Sequence, residues 1–176
     1  MKVIGIDPSM RSTGIHCDGK YILITSNPTK KLIKLQNEFL IVYQYDAEPV
    51  KDKTSIEKEA AKTKNIKSIL GIIKTILIKE KPDQVNIEAI AMGASGRIDE
   101  LAGLNYGIRL LCLELNISFL AIPPTTNKLK FTGNGHATKE MMIEAWKMCD
   151  KNAQKLLNIG KGLDDLADAY SLSVFG

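Results

Sequence analysis

The chain has 176 residues, of which 44% are hydrophobic and 25% are charged, and a formal net charge of +4. This length suffices for one compact domain but not for two lobes of ordinary size, so we expect a single domain over residues 1–176. Three cysteines without metal-ligand spacing predict reduced thiols, and no apolar run approaches the roughly 20 residues of a transmembrane helix. With no charged leader segment, the composition predicts a soluble, intracellular protein of the cytoplasm, or of a host's cytoplasm if a phage encodes it.

The mild positive charge is compatible with two kinds of surface. A polyanionic partner is favoured, because the acidic cluster described below leaves the rest of the surface more basic than the net charge suggests. Solubility alone accounts for the charge about equally well. Arg11, Arg97 and Arg109 are the only arginines, so phosphate contacts would come mostly from lysines, which act as mobile point charges.

The N-terminal part predicts strands followed by a long helix. Residues 3–15, VIGIDPSMRSTGI, alternate in polarity and then turn at residues 7–9. The runs YILITSN (21–27) and EFLIVYQYD (38–46) predict short strands that continue an antiparallel meander. Residues 54–79 carry apolar side chains at helical spacing and predict an amphipathic helix with a solvated, Lys-rich outer face.

The C-terminal part alternates strands and helices. The predicted elements are a strand (84–90), a Gly-rich loop (91–97), a helix (98–115), a strand (116–122), a helix from a Thr138 cap to about Cys149, and a last helix that carries acidic residues. This order predicts an α/β fold with a mixed central sheet, an N-terminal antiparallel meander and helices on both faces.

Four separated acidic residues are the candidate catalytic and metal-binding residues: Asp7, Glu88, Asp165 and Asp168. The first two each end an apolar, β-branched run typical of a buried strand, where a carboxylate needs a partner, and no Arg or Lys stands beside Glu88. Asp165 and Asp168 are three apart, which places both on one helix face. Such carboxylates suit Mg²⁺ or Mn²⁺, and two ions about 4 Å apart are a recurrent device for cutting phosphodiesters.

Simpler interpretations remain for several residues. Acids early in a helix also stabilise its macrodipole, which is the preferred interpretation for Asp164. Arg11, in the turn after the first strand, can contact phosphate or cap the loop, and the sequence does not separate these roles. His16 and His136 are isolated, and we expect neither to be a general base.

Four sequence blocks, in order and covering most of the chain, resemble the RuvC family of Holliday-junction resolvases. They are GIDPSMRSTG, IEAIAMGASGRIDELAGLNYG, PPTTNKLKFTGNGHATKE and DDLADAYSL. The resemblance implies an RNase H-like fold and a homodimeric, Mg²⁺-dependent endodeoxyribonuclease. Such an enzyme binds four-way DNA and nicks two strands of like polarity symmetrically.

The resemblance also implies roles for particular residues. The catalytic acids correspond to the four named above, which would hold two Mg²⁺ ions per active site, with Mn²⁺ able to substitute. Two basic residues near the site correspond to Lys128 and Lys139, although solvated loop lysines are an alternative in so Lys-rich a region. The expected DNA-binding residues are Arg11, Met92, Arg97, Lys128, Lys130 and Lys139.

One position departs from the family pattern. Three residues after Glu88, where the family typically has an aromatic that stacks on bases at the junction centre, this chain has Ala91, followed by Met92. Met92 can act as an apolar wedge but offers less contact than a ring. We therefore expect cleavage governed by branched shape, with weak sequence preference and some activity on three-way or flap-like DNA.

The helix at 98–115 carries more apolar side chains than one packing face requires, since Leu104 and Leu111 lie off its main stripe. Burial in a dimer interface is the predicted explanation. Alternative functions are a nucleotide-binding phosphotransferase of the actin and sugar-kinase type, a nuclease for RNA or other branched DNA, and a catalytically silent junction-binding protein. The phosphotransferase needs two lobes, and it has no use for the C-terminal acids.

Overall fold

The computed structural model describes residues 1–90 and 98–175. In chain order these residues form β1 (Val3–Asp7), β2 (Ser12–Cys17), β3 (Lys20–Thr25), α1 (Lys30–Lys34), β4 (Leu40–Gln44), α2 (Ser55–Glu80), β5 (Gln84–Glu88), α3 (Ile98–Glu114), β6 (Ser118–Ile122), α4 (Pro124–Thr132), α5 (Lys139–Cys149), α6 (Ala153–Leu156) and α7 (Leu163–Ser173). The predicted strands, the long α2 helix and the helices α3, α5 and α7 are confirmed within a few residues.

The strands form one mixed sheet in the order β4-β3-β2-β1-β5-β6. β1, β2 and β3 are antiparallel neighbours, as predicted. β5 lies parallel to β1, and β6 lies parallel to β5. This topology places the C-terminal ends of β1 and β5 side by side at one edge of the sheet.

The prediction that β4 continues the antiparallel meander was wrong. β4 pairs with β3 in parallel, with Tyr21 opposite Leu40 and Thr25 opposite Gln44. The reason is α1, whose N-cap is Thr29; the Thr29 side chain accepts a hydrogen bond from the Leu32 N–H. The chain between β3 and β4 therefore returns along the edge of the sheet before β4 starts, so that β4 runs in the same direction as β3. Parallel neighbours need a crossover connection of this kind.

Helices cover both faces of the sheet. On one face, α2 and α3 pack against alternate strand residues such as Ile22 and Ile24. On the other face, α5, α6 and α7 pack against Tyr21 and Leu23, around the fully buried Trp146. The alternation of side chains along β3 thus divides the interior into two cores.

The start of α2 is fixed by a capping box that the sequence analysis did not identify. The Thr54 side chain accepts from the Glu57 N–H, and the Glu57 carboxylate accepts from the Thr54 N–H. The predicted apolar stripe is buried at Ile69 and Ile73, but Ile56 is 84% exposed. The first turn of α2 therefore faces solvent.

A helix, α4, lies in a segment to which the sequence analysis assigned no element. Pro124 occupies the first turn of α4, where its missing N–H costs no hydrogen bond, and Gly133 ends the helix in a left-handed conformation. Lys128 and Lys130 are therefore helical residues. No helix in residues 1–90 or 98–175 is long and apolar enough to cross a bilayer, and the three cysteines are free.

Candidate active site

The ends of two neighbouring strands supply the first pair of acids. β1 and β5 are parallel, with Ile6 opposite Ile87, so Asp7 and Glu88 leave the sheet at the same edge. Asp7 is only 8% exposed. Burial raises the pKa of both carboxyl groups, and a hydrogen bond between them adds to the rise for Asp7 and offsets part of the rise for Glu88. The ends of β1 and β5 are therefore adjacent, and their two carboxyl groups interact.

α7 brings the second pair of acids to the same edge. This helix lies directly on β1 and β2, because glycines in both strands leave room for its backbone. A Cβ atom on Gly5 would lie 2.0 Å from the Ala169 carbonyl oxygen, and one on Gly14 would lie 2.2 Å from the Asp165 carbonyl oxygen. Such close packing sets Asp165 and Asp168 beside Asp7, whose pKa both of their charges raise.

The four carboxyl groups strongly disfavour full ionisation. Burial is the largest cause for each of them, and it raises the pKa of Asp7 well above its ordinary value. The pKa of Asp165 rises to about 6, and that of Asp168 to about 7. The Glu88 carboxylate adds to the shift in Asp168, and the pKa of Glu88 is itself raised by burial. Clustered acids with raised pKa values mark a functional site more often than a structural one.

Two lysines from outside the sheet border this cluster. Lys128 of α4 lies near enough to lower the pKa values of Glu88 and Asp168. Lys139, the first residue of α5, forms an ion pair with Asp164. Glu88 thus has a basic neighbour in space, although none stands beside it in the sequence. Asp164 is paired with Lys139 and is not one of the four clustered acids.

The candidate ligands fit a hard divalent cation. Every donor is a carboxylate oxygen, and a cation would offset both the burial and the mutual repulsion that raise these pKa values. The Asp168 Oδ1 atom is buried and has no hydrogen-bond partner among the described residues. Within residues 1–90 and 98–175, however, no three His, Cys, Asp or Glu side chains are already arranged as a metal-ligand set.

The other predicted DNA-binding residues are exposed or lie outside the described residues. Arg11 is exposed in the turn after β1. The ammonium group of Lys130 lies 4.6 Å from the centre of the Phe175 ring. Met92 and Arg97, like Ala91, fall outside the residues that the structure describes.

The histidines are not part of the acidic cluster. His16 is buried between β2 and α7, with its Nδ1 atom 2.6 Å from the Ser173 hydroxyl, and burial lowers its pKa to about 4. The ring also packs against Tyr21 and Tyr170. His136 is exposed before α5. This placement agrees with the expectation that neither is a general base.

Buried asparagines hold the site together, and the sequence analysis did not identify them. Asn105 of α3 donates to the Glu88 carbonyl oxygen at 2.7 Å, which fixes the end of β5. Asn127 of α4 donates to the Ser171 hydroxyl at 2.7 Å, and this hydroxyl donates to the Asp168 carbonyl oxygen at 2.8 Å. The available signal was an amide within an otherwise apolar helical stripe, as at Asn105.

Comparisons with known proteins agree with this geometry, although no family model matches the chain. The RuvC crossover junction endodeoxyribonuclease of Ehrlichia ruminantium (strain Gardel) is 30% identical over 179 residues, which cover 99% of this chain and 94% of that protein. The RuvC of Anaeromyxobacter dehalogenans (strain 2CP-C) is 31% identical over 107 residues, which cover 60% of this chain and 54% of that protein. The match thus spans about half the length of the Anaeromyxobacter relatives.

A solved structure confirms the fold. Thermus thermophilus RuvC in complex with a Holliday junction substrate superposes with a TM-score of 0.64, over 98% of this chain and 90% of that chain, at 18% identity. The mixed sheet with helices on both faces is thus the predicted RNase H-like α/β fold. On the evidence of its full-length relative and of this shared architecture, the chain belongs to the RuvC family.

Proposed function

We propose that this protein is a structure-selective endodeoxyribonuclease that cleaves Holliday junctions and other branched DNA. The observation that carries the proposal is the convergence of Asp7, Glu88, Asp165 and Asp168 from β1, β5 and α7 at one sheet edge. Its relatives bear the name crossover junction endodeoxyribonuclease. A neighbour of the same fold has been solved with a junction substrate.

The acids would hold two Mg²⁺ ions, with Mn²⁺ able to replace them. Asp7 interacts electrostatically with Glu88, Asp165 and Asp168, which makes it the candidate ligand shared by both ions. Divalent ions supply an activated water and stabilise the leaving oxygen in phosphodiester hydrolysis. The remaining contribution of the chain is to hold the strand and to keep these carboxylates fixed.

Positioning of the carboxylates rests on the surrounding backbone. Gly14 and Gly5 bring α7 onto the sheet, and Asn105 fixes the backbone of Glu88. Burial raises the pKa of Asp165, and the nearby Ser12 hydroxyl offsets part of that rise. Because these contacts hold the oxygen donors before a substrate arrives, little reorganisation is needed when a phosphodiester binds.

Lys128 and Lys139 would bind the phosphate that is cut. Lys128 faces Glu88 and Asp168, and Lys139 reaches Asp164 at the start of α7. A cation in either place can stabilise charge that develops on phosphate oxygens. Lys139 is exposed, and its ammonium group has three donors, so it can contact a phosphate while it stays paired with Asp164.

The protein is also proposed to act as a homodimer through α3. Leu104 is fully buried and Leu111 packs against the same core, so these two residues do not form the second apolar face that the sequence analysis inferred. The most exposed apolar side chains of α3 are instead Tyr106, Leu110 and Leu113, which are 58%, 64% and 62% exposed. An apolar helix face of this kind is suited to a second copy of the chain, which would pair two cutting sites on one junction.

The function is tested by incubating the protein and Mg²⁺ with matched four-way, three-way, duplex and single-stranded DNA of shared sequence. We expect fast cleavage of the four-way substrate, slower cleavage of three-way or flap-like DNA, and little cleavage of the linear forms. Junctions that differ only in sequence should be cut at similar rates, given Ala91 at the wedge position. Equal cleavage of all four substrates would contradict the proposed structure selectivity.

A further inference from the structure

A cavity of about 410 Å³ lies beside the acidic cluster, on the side of β2 and β3. Its walls come from the turn after β1, the end of β3, the loop that leads into α1, and the start of α7. The lining residues that matter below are Arg11, Ser12, Thr25, Asn27, Lys161 and Asp165. Since Asp165 belongs both to this lining and to the acidic cluster, the cavity and the proposed cutting site are continuous.

The structure resolves the two roles that the sequence left open for Arg11. The Arg11 N–H donates to the Ser9 hydroxyl, and the Arg11 carbonyl oxygen accepts from the Thr25 hydroxyl. The backbone of Arg11 therefore closes the turn. The guanidinium is not required for that task, and this exposed side chain lines the cavity.

A second cation faces the cavity from the start of α7. Lys161 is exposed and immediately precedes Gly162, which caps α7 without a side-chain hydrogen bond. Gly162 has φ of 91°, and a Cβ atom there would lie 2.8 Å from Leu23 Cδ2 and 3.0 Å from the Ser12 hydroxyl. Glycine at this position thus keeps the inner wall open beside the positive end of the helix dipole.

The ion pairs of the acidic lining residues decide which charges a ligand would meet in the cavity. Two carboxylates, Asp164 and Asp165, also contribute to its lining. Asp164 is held in its ion pair with Lys139, and Asp165 is a candidate ligand of the proposed metal site. Arg11 and Lys161 then remain as the charges available to a ligand, together with hydroxyl and amide donors.

We propose that this cavity binds a phosphodiester of the strand being cut, next to the scissile phosphate; this inference rests on the proposed nuclease function. Lys128 and Lys139 approach the acids from α4 and α5, whereas Arg11 and Lys161 line a cavity walled by β3 and the α1 loop. The two pairs of cations would therefore contact phosphates of one DNA strand as it passes the acids. The described lining contains no aromatic side chain, and unstacked bases are usually held on aromatic rings. A phosphate therefore fits this lining better than a flipped base does.

The experiment pairs a protein variant with a modified substrate. Junctions carry a neutral methylphosphonate at the linkage on either side of the cut, and the proteins are wild type, Lys161→Ala, Lys161→Arg and Lys67→Ala. Lys67 is an exposed lysine of α2 and provides the matched control. Binding is measured in Ca²⁺ and cleavage in Mg²⁺, so that affinity is recorded independently of activity.

For wild type, we expect the neutral linkage to weaken binding about tenfold at one of the two positions, as expected for loss of a charge-assisted hydrogen bond. Lys161→Ala should show the same loss on the natural junction and little further loss on that modified junction, while Lys161→Arg retains affinity. Lys67→Ala should respond to the methylphosphonate as wild type does. Non-additive losses of this kind identify a direct pair.

Additive losses for Lys161→Ala at both positions would overturn the proposed phosphate contact while leaving the nuclease function intact. An abasic nucleotide that weakens wild-type binding but not Lys161→Ala binding would show that the cavity holds a base, which also overturns the proposal. A wild-type protein that neither binds nor cuts the unmodified junction would contradict the proposed nuclease function. It would also overturn the proposed phosphodiester ligand of the cavity, which rests on that function.

Discussion

Gly14 lies so close to Asp165 that a Cβ atom at position 14 would be 2.2 Å from the Asp165 carbonyl oxygen. In the sheet, Gly14 is also the direct partner of Asp7. A residue without a side chain therefore lies between the acid of β1 and the backbone of α7, and it helps to set the distance between the acids. The backbone of α7 forms this contact, so a larger residue at position 14 must displace the helix itself.

Substitution Gly14→Ala should accordingly damage the site more than the fold of the sheet. We expect a loss of cleavage of at least about a hundredfold, since small displacements of a catalytic group have effects of this size. Gly71→Ala in α2 is the control, because a Cβ there meets no atom within 4 Å. That variant should cut normally and be about 0.5–1 kcal/mol more stable. Cleavage assays and thermal unfolding of both variants test this, and normal cutting by Gly14→Ala would contradict it.

The raised pKa of Asp168 predicts an unusual pH dependence of stability without added metal. Burial raises this pKa from 3.8 to about 7, so folding favours the protonated form. The stability is therefore fully present below about pH 4 and is lost as the pH rises toward 7. Asp168→Asn carries no charge and escapes that loss.

In EDTA at pH 8, Asp168→Asn should melt a few °C above wild type, and the difference should disappear near pH 4. Mg²⁺ should then raise the melting temperature of wild type more than that of the variant. Thermal unfolding from pH 4 to 8, with and without Mg²⁺, provides the measurement. A variant less stable than wild type at pH 8 in EDTA would show that Asp168 forms a stabilising interaction instead.

Lys128→Ala and Lys139→Ala should reduce cleavage more than junction affinity. Both lysines lie near the acids, where they can act on the scissile phosphate, whereas overall affinity is spread over many phosphate contacts and falls steeply with salt. The check is to compare cleavage rates in Mg²⁺ with dissociation constants in Ca²⁺ at several salt concentrations. Equal losses in the two assays would reduce these residues to ordinary backbone contacts.

The proposed dimer predicts that Leu110→Lys yields monomers, because a charge would replace an exposed leucine of the α3 face. Ile56→Lys is the matched control, since Ile56 is exposed on α2 and should leave the association unchanged. Sedimentation at micromolar concentration distinguishes these outcomes. A monomeric wild type would argue against both the interface and paired nicking.

Local sequence patterns predicted those features of the site that depend on one strand or one helix at a time. Asp7 and Glu88 each close an apolar run, and their strands are parallel neighbours. Asp165 and Asp168 share one face of α7, as their spacing predicts. These positions follow from residue periodicity, which acts over a few residues.

Contacts between distant elements were not predictable in the same way. The short α1 helix turns β4 parallel to β3, yet its only local signal is the Thr29 cap. Lys128 reaches the acids because Asn127 ties α4 to Ser171 of α7, across 44 positions of sequence. Such pairings depend on tertiary packing, about which the periodicity of one segment carries no information.

The most direct test of the metal-dependent acidic centre compares wild type with Asp7→Asn, Glu88→Gln and Asp168→Asn on one four-way junction. Cleavage is measured in Mg²⁺ and binding in Ca²⁺ or EDTA. We expect each variant to lose at least about a hundredfold in cleavage while binding is retained, because the acids hold ions rather than DNA. Folded variants that cut the junction at the wild-type rate would contradict it.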